Sequence, residues 1–229
     1  MGISKPISSL LWVVLLLLLQ ASAHAQLPPR LEITYEVLHN GSRVAEIVAR
    51  LESTADNYRL TESWHGKGLY ALLGRAMRTS EGKLSAAGPR PLEFVDERSG
   101  RDTARAWFDW SANTLTMRYK GRSRTEPLPL NAQDRLSFIL ALSLAPPGST
   151  TGDYHLVNGR GVSHHIYEFN GRERVQTPAG EFDALKVVRG TADERTEIWL
   201  ASEFGGLPVR MLAVDKGTRW DQVAARIER

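Results

Sequence analysis

Cysteine is absent from all 229 residues of the chain. Without a thiol the protein can form no disulfide, and it has neither a cysteine nucleophile nor a cysteine-based zinc site. Bacterial lipoproteins are acylated on a cysteine, so we also expect no lipid anchor. Packing of an apolar core must therefore supply the stability of the folded chain.

A strong excess of one charge is also missing. Lysine and arginine number 29 and aspartate and glutamate 26, so the formal net charge is only +3. A balance this close to neutral does not indicate nucleic acid as a partner. The length and the apolar content are those of a protein with one sizeable core.

Sequence motifs that are diagnostic of a catalytic reaction are absent as well. The sequence has no Gly-x-Ser-x-Gly elbow, no Gly-x-x-x-x-Gly-Lys-Ser/Thr phosphate loop and no His-Glu-x-x-His helix. His164 and His165 are adjacent, so on a strand they point to opposite faces and cannot easily hold one ion together. We predict no catalytic residue, no metal and no cofactor, and we favour a protein that is not an enzyme.

The longest hydrophobic run lies at the start of the chain. Lys5 precedes an apolar stretch over residues 10–19, and Ala23-His24-Ala25 follows with the small-x-small pattern that signal peptidase cleaves. The run is too short to span a bilayer comfortably. We predict a signal peptide over residues 1–25, cleavage before Gln26 and a single soluble periplasmic domain over residues 26–229. The alternative is an uncleaved membrane anchor.

Hydrophobicity of period two dominates the remainder. Apolar and polar side chains alternate over residues 31–37, 104–110 and 115–119, as in strands with one buried and one solvated face. Asn40-Gly41 and Asn170-Gly171 are typical of tight hairpins, in which both central residues need a positive φ. About a dozen such runs follow one another without a linker. The pattern predicts an all-β fold, with a large curved antiparallel sheet that forms a partly open barrel.

One segment has helical spacing instead. Asn131 is placed to cap a helix and Asp134 to lie near its positive end, and an apolar stripe continues through Leu136 and Ile139. Pro146-Pro147 would end it. We predict one inserted helix over about residues 132–145, packed over an opening or a face of the sheet.

An irregular apolar segment between Gly66 and Gly74 is the first candidate binding element. It carries Leu69, Tyr70, Leu72 and Leu73. We interpret it either as a loop that plugs the end of the barrel or as a mobile apolar lid that touches a ligand.

Five tryptophans follow the leader, and they are expected either to fill the interior or to line a cavity. Two of them, Trp64 and Trp110, are the candidate ligand contacts. The full set is Trp64, Trp107, Trp110, Trp199 and Trp220.

A basic stretch is the second candidate binding element. Arg118, Lys120, Arg122 and Arg124 recur at every second residue, so on one continuous strand all four would point the same way. Such a ridge could contact phosphorylated lipid head groups or an acidic polysaccharide of the envelope. The alternatives are a solvated outer face or a charged edge strand, and Gly121 could bend the strand and scatter the charges.

Two carboxylates stand apart from ordinary surface positions. Asp109 lies between Phe108 and Trp110, and Asp134 heads the expected helix. As catalytic carboxylates they would suit hydrolysis of envelope glycans. The structural interpretation is favoured, in which Asp109 is a polar strand-face residue or a turn anchor and Asp134 is a charge at the start of the helix.

Several motifs in a fixed order resemble the exported bacterial family of domains of unknown function numbered 3108. The resemblance implies a secreted, mostly antiparallel β-fold with one inserted helix, similar to the half-barrels of lipoprotein carriers, and it carries over no catalytic residue. The motifs are Phe108-Asp109-Trp110 with Asn113, Asp134-Arg135-Leu136-Ser137, the run over 177–187, Glu197-Ile198-Trp199-Leu200 and Leu207-Pro208-Val209-Arg210.

Three functions are consistent with these features. The first is a non-catalytic binding or carrier protein for an apolar or amphiphilic molecule of the envelope. The second is a periplasmic glycan hydrolase that uses carboxylates, and the third is an envelope scaffold whose exposed sheet edge pairs with another protein. Fold alone does not choose among them.

Overall fold

A computed structural model of the chain describes residues 27–145 and 148–229. The predicted signal peptide and its cleavage site lie outside these residues, as do Pro146 and Pro147. Fifteen strands form one sheet. They are β1 (Arg30–His39), β2 (Ser42–Ser53), β3 (Asn57–Gly66), β4 (Arg75–Ser85), β5 (Gly88–Arg98), β6 (Ala104–Asp109), β7 (Thr114–Tyr119), β8 (Arg122–Pro127), β9 (Ala132–Asp134), β10 (Thr151–Val157), β11 (Val162–Thr177), β12 (Gly180–Gly190), β13 (Glu194–Ala201), β14 (Leu207–Asp215) and β15 (Thr218–Glu228).

Helical structure in the described residues is limited to three short segments. These are the α-helix α1 (Ser137–Ser143) and two 3₁₀ helices, Gly68–Leu73 and Ser202–Phe204. None of them is long and apolar enough to cross a bilayer.

The sheet is open. Its strands lie in the order β8-β7-β6-β5-β4-β3-β2-β1-β15-β14-β13-β12-β11-β10-β9. Neighbouring strands are antiparallel except for β9 and β10, which are parallel. The prediction of an all-β, partly open barrel-like sheet with one inserted helix is therefore confirmed.

Turn chemistry explains part of this topology. Asn40 and Gly41 have φ of 48° and 83° and form the predicted hairpin between β1 and β2, because both positions need the left-handed region. The hairpin predicted at Asn170-Gly171 is wrong, since this pair lies inside β11 where the register shifts between Phe169 and Arg172. A glycine at positive φ can also accommodate a β-bulge, so local sequence does not distinguish the two outcomes.

One face of the sheet carries the core, and we call it the inner face. In β1 it presents Leu31, Ile33 and Tyr35. Leu51 and Ala49 of β2 lie directly opposite the first two. The alternation read from the sequence thus becomes a continuous apolar surface across neighbouring strands.

Helix α1 is shorter than predicted. The helix expected over about residues 132–145 begins at Ser137 and ends at Ser143, because Ala132–Asp134 instead pair with β10 as strand β9. Asn131 does not cap it. Asp134 does so, since its Oδ1 accepts hydrogen bonds from the backbone N–H groups of Leu136 (2.8 Å) and Ser137 (2.9 Å).

Side chains and loops bring one end of the open sheet, at β9 and β10, against strands β4–β6. The hydroxyl of Ser80 in β4 donates a 2.6 Å hydrogen bond to Asp134, and the amide of Gln133 donates to the Pro89 carbonyl at 2.9 Å. The turn after β10 packs on β6 so closely that a Cβ at Gly159 would lie 2.8 Å from the Arg105 nitrogen. The sheet therefore curls into a concavity that holds α1 and β9.

Candidate functional site

An apolar cavity of about 60 Å³ lies on the inner face between β1–β3, β14 and α1. Its walls include Leu31, Ile33, Leu51 and Leu60 from the sheet and Ile139 from the helix. For comparison, an engineered apolar cavity of about 150 Å³ binds benzene. The cavity here is smaller and has room for a small apolar group.

A charged pair borders this cavity. Glu62 lines it and forms an ion pair with Arg78, its cross-strand neighbour on β4. Both side chains are mostly shielded, with 14% and 19% of their surfaces exposed. The inner face therefore changes from apolar to charged within one strand spacing.

Asp96 is the centre of the charged region. It is fully buried and accepts two hydrogen bonds from Arg98, at 3.0 and 2.9 Å, and one from Arg160 at 2.9 Å. Arg78 Nε lies 3.7 Å from the same carboxylate. Burial alone would raise the pKa of Asp96, but the bonds from Arg98 and Arg160 outweigh it and hold the pKa below its usual value.

Two further arginines extend this region without a carboxylate of their own. Arg135 lies two residues before α1, and Arg189 lies near the end of β12. Arg135 is exposed to water, although the protein surrounds it closely enough that burial and the charge of Arg78 lower its pKa. Both arginines act electrostatically on His165 and Tyr167 of β11. Arg135 thus lies between the Asp96 cluster and β11.

Sequence reasoning did not single out these arginines as a site. A signal was nevertheless present, because charged residues occur in phase with the apolar inner-face positions. Glu62 follows Leu60 by two residues, and Asp96 follows Phe94 by two. On a strand this spacing puts a charge on the buried face, which is costly unless the charge is paired.

The two candidate carboxylates are not brought together. Asp109 is exposed and accepts hydrogen bonds from Ser111 and Ala112 of its own turn, as the structural interpretation expected. Asp134 is fully buried, and burial raises its pKa to about 6 despite the hydrogen bonds that it accepts. One carboxylate is thus exposed and the other fully buried, which does not favour the pair of facing carboxylates that glycan hydrolysis uses.

The candidate lid forms the 3₁₀ helix Gly68–Leu73 beside β2 and β3. Leu69 and Leu72 are 84% and 85% exposed, whereas Tyr70 turns inward with its hydroxyl 3.1 Å from His39 Nδ1. The two leucines are therefore not packed as a plug would be, and Leu69, Tyr70 and Leu72 do not line the apolar cavity. The side chain of Leu73, the remaining candidate in this segment, lies outside the described part of the structure.

The tryptophans contribute to the core to different extents: Trp199 belongs to it, Trp64 and Trp110 pack against it, and Trp220 is largely exposed. Trp64 lies on the inner face opposite Ile47, and Trp220 is 39% exposed and stacks on His39 at 4.4 Å. Trp110 leaves the strand at a turn, half-buried, and its indole donates to the Pro91 carbonyl at 2.7 Å.

The other two tryptophans lie on the opposite face. Trp107 alternates with the buried Ala106 and Phe108. Trp199 is buried, but between Lys186 and Arg210, whose charged groups lie 5.0 and 4.9 Å from its ring. Long cationic side chains can thus shield an aromatic ring on an outer face.

The basic ridge is not continuous. Lys120 and Gly121, with φ of 51° and 70°, form the turn between β7 and β8. Arg122 and Arg124 therefore share a face with Tyr119 and Met117, opposite to Arg118. The expectation that all four point one way is wrong, because the strand ends at the turn. β8 is the terminal strand of the sheet, so its charges are placed to discourage edge pairing.

The histidines are engaged in local contacts. His164 Nε2 lies 2.6 Å from Asp153 Oδ1, and its ring stacks on His155 at 4.8 Å. Within residues 27–145 and 148–229 no three histidine or acidic side chains are grouped so as to hold a metal ion.

A solved structure of low sequence identity shows the same fold, and two further structures resemble the chain more weakly. A beta-barrel-like protein of the domain of unknown function DUF1849 from Brucella abortus superposes with a TM-score of 0.61 at 9% identity, covering 89% of this chain and 98% of that one. An exported protein with a YmcC-like fold from Bacteroides fragilis gives a TM-score of 0.38 at 15% identity, covering 87% and 95% of the two chains. A protein described as a lipoprotein from Parabacteroides distasonis gives 0.34 at 9% identity, covering 88% and 97%.

None of the curated proteins compared matches the chain. The family model described as "Protein of unknown function (DUF3108)" matches residues 30–218. This span includes the inner-face arginines, α1 and every residue of the cavity wall except Gln222, and it confirms the resemblance drawn from the ordered motifs. The chain therefore belongs to the DUF3108 family of proteins of unknown function.

Proposed function

We propose that the protein binds, without catalysis, an amphiphilic molecule of the cell envelope within the concavity of its sheet. One observation carries this proposal: an apolar cavity and a cluster of arginines lie side by side on the inner face and meet at the Glu62–Arg78 pair. An apolar wall beside a few convergent polar groups is the usual composition of a small-molecule site.

Helix α1 controls how much room the cavity offers. Leu136 and Ile139 line the cavity from the helix side. The helix is held at its start by Asp134 and near its end by Ser143, whose hydroxyl lies 2.5 Å from the Gly206 carbonyl. We propose that an apolar chain enters by displacing these two side chains from β1–β3. The helix has only seven residues. A helix this short is stabilised only weakly by its own backbone hydrogen bonds, so they oppose an outward movement of Leu136 and Ile139 weakly.

The exposed leucines of the 3₁₀ helix fit the lid interpretation better than the plug. A plug would bury Leu69 and Leu72, whereas both are exposed. We propose that they cover a ligand at the rim, where Tyr70, His39 and Trp220 are already in contact. Burial of a leucine on binding would add apolar contact that this conformation does not use.

The two other candidate functions have weaker support. A glycan hydrolase would need its carboxylates to face each other, and Asp109 and Asp134 do not. A scaffold that pairs through its sheet edge would need an uncharged edge, whereas β8 carries Arg122 and Arg124.

Titration with phenylnaphthylamine (NPN), an uncharged apolar fluorophore, tests the proposal. We expect saturable fluorescence enhancement with the wild-type protein. Ala49 lines the cavity, so Ala49→Ile should fill it and weaken NPN binding several-fold. Ala213→Ile is the matched control, because Ala213 is an exposed strand residue outside the cavity wall.

Two results would overturn the proposal. One is the absence of saturable NPN binding to the wild type, and the other is equal NPN affinity in Ala49→Ile and the wild type. A thermal melt of each variant accompanies the titration, since added core methylenes cost about 1–3 kcal/mol through overpacking.

The periplasmic location is a separate part of the proposal, and it rests on the predicted signal peptide over residues 1–25. Fractionation should recover the protein from the periplasm, and N-terminal sequencing should begin at Gln26. A membrane-bound form that retains the apolar run would contradict it.

A further inference from the structure

The inner face carries more positive charge than its own carboxylates neutralise. Asp96 forms ion pairs with Arg98, Arg160 and Arg78. Glu62 forms an ion pair with Arg78. Two more arginines face the same concavity, as the next paragraphs show. The excess is local, because the formal net charge of the whole chain is only +3.

Arg189 is the first unpaired group. Val188 on β12 lies opposite Glu168 on β11, and continuing this register places Arg189 opposite Tyr167. Its Nε is buried and has no hydrogen-bond partner. Across residues 27–145 and 148–229 it forms no ion pair. A buried donor without a partner is costly, so a group that supplies the missing acceptor would be bound favourably.

Arg135 is the second unpaired group. It follows Asp134, whose carboxylate is already engaged by Ser80 and the start of α1. Its guanidinium has no hydrogen-bond or ion-pair partner in the described part of the chain. Burial and the charges of Arg78 and Arg98 lower its pKa and outweigh the opposite effect of Glu62 and Asp96. Because Arg135 is exposed to water, a solute in the concavity can reach it.

A shared environment connects the two arginines. Both act electrostatically on His165 and Tyr167. The Nδ1 of His165 is likewise buried without a partner. Burial and the neighbouring arginines lower the pKa of His165, so its ring stays neutral and adds no positive charge near neutral pH.

We infer that Arg135 and Arg189 bind the oxyanion head group, a carboxylate or a phosphate, of the amphiphile whose apolar part enters the cavity. Guanidinium groups match both oxyanions with two parallel hydrogen bonds. The two parts of the site are adjacent along the chain, since Arg135 directly precedes Leu136, a residue of the cavity wall. This inference rests on the proposed function and narrows its ligand to an anionic amphiphile.

A pair of related fluorophores tests it. Anilinonaphthalene sulfonate (ANS) carries an oxyanion on the aromatic skeleton that NPN presents without charge. We expect the double variant Arg135→Gln/Arg189→Gln to weaken ANS binding about tenfold or more, while NPN affinity stays within about twofold. Arg174→Gln is the control, because Arg174 is 82% exposed and paired with Glu181, and it should change neither affinity.

The single variant Arg135→Gln keeps the test informative if the double variant folds poorly. Arg135 is exposed, so its replacement should leave the melting temperature near that of the wild type. We expect several-fold weaker ANS binding from this change alone. Displacement of ANS by decanoate, decyl phosphate and decanol then identifies the head group, and either anion should compete better than the alcohol.

The possible failures are distinguishable. If NPN binds the wild type but ANS and NPN respond equally to the arginine variants, the oxyanion site is refuted and the apolar cavity stands. An equal loss of ANS binding in Arg174→Gln would mean that overall charge, not this pair, attracts the probe, which also refutes the inference. Absence of binding by both probes would overturn the inference and the proposed function together.

Discussion

Replacement of Asp96 by asparagine should destabilise the protein, because three arginines converge on this one carboxylate. Arg98 and Arg160 donate to it at 2.9–3.0 Å, and Arg78 lies within ion-pair distance. Removing one partner of a buried ion pair costs about 3–5 kcal/mol. The arginine side chains retain 19–28% exposure, so water relieves part of this cost. We expect a loss of about 2–4 kcal/mol.

The pH dependence of this loss has a defined sign. The pKa of Asp96 is held below the ordinary value of 3.8, so the native state binds fewer protons at this site than the unfolded chain. Its contribution is therefore fully present above pH 3.8 and is lost as the pH falls through the lowered native value. The difference between wild type and Asp96→Asn should stay constant from pH 5 to pH 8, a range well above both values.

Urea unfolding followed by tryptophan fluorescence provides the assay. A change of 1 kcal/mol shifts the melting temperature of a domain of about 150–250 residues by about 2–4 °C, so a thermal melt should fall by about 4–16 °C. Asp183→Asn is the matched control. Asp183 and its partner Arg172 are 67% and 48% exposed, and exposed pairs contribute less than about 1 kcal/mol.

The reasoning fails if Asp96→Asn lies within about 1 kcal/mol of the wild type. It also fails if Asp183→Asn costs as much, since burial would then not be the deciding factor.

The remaining predictions concern stability and binding at three other places. Burial raises the pKa of Asp134 from 3.8 to about 6, so the native state binds the proton more tightly than the unfolded chain does. Wild-type stability should therefore be highest below pH 4 and fall by up to about 3 kcal/mol as the pH rises to about 6. Urea unfolding midpoints measured across this range should vary less with pH in Asp134→Asn than in the wild type. Trp110 is half-buried, so Trp110→Ala should cost about 1–3 kcal/mol, less than the 3–5 kcal/mol expected for Phe94→Ala in the core, as judged by urea unfolding. Leu69→Ser/Leu72→Ser should change the free energy of unfolding by less than about 0.5 kcal/mol, because both side chains are exposed. The same double variant should bind NPN several-fold more weakly in a fluorescence titration if the leucines cover the ligand, and unchanged NPN affinity would exclude them as a lid.

Local pattern predicted much of the fold because the determinants of a strand are local. Alternation over residues 31–37 placed Leu31, Ile33 and Tyr35 on one face, and all three are buried. Asn40-Gly41 formed its hairpin, since the left-handed backbone that it favours suits that turn.

The errors arose where distant residues compete with local preference. Residues 132–134 have helical spacing, but pairing with β10 makes them a strand. The four basic residues from Arg118 to Arg124 have strand spacing, but the turn at Lys120-Gly121 reverses the chain between them. Trp199 has the hydrophobicity of a core residue, yet Lys186 and Arg210 bury it on the other face.

The candidate site was the part that sequence could predict least. By itself the sequence determined the all-β class and the one inserted helix, because each depends on neighbours within a few residues. The structure decided which charges meet, since Arg160 reaches Asp96 from 64 residues away and Asp134 meets Ser80 from 54. Such contacts depend on how the sheet curls, and curvature follows from the packing of all its strands rather than from any one segment.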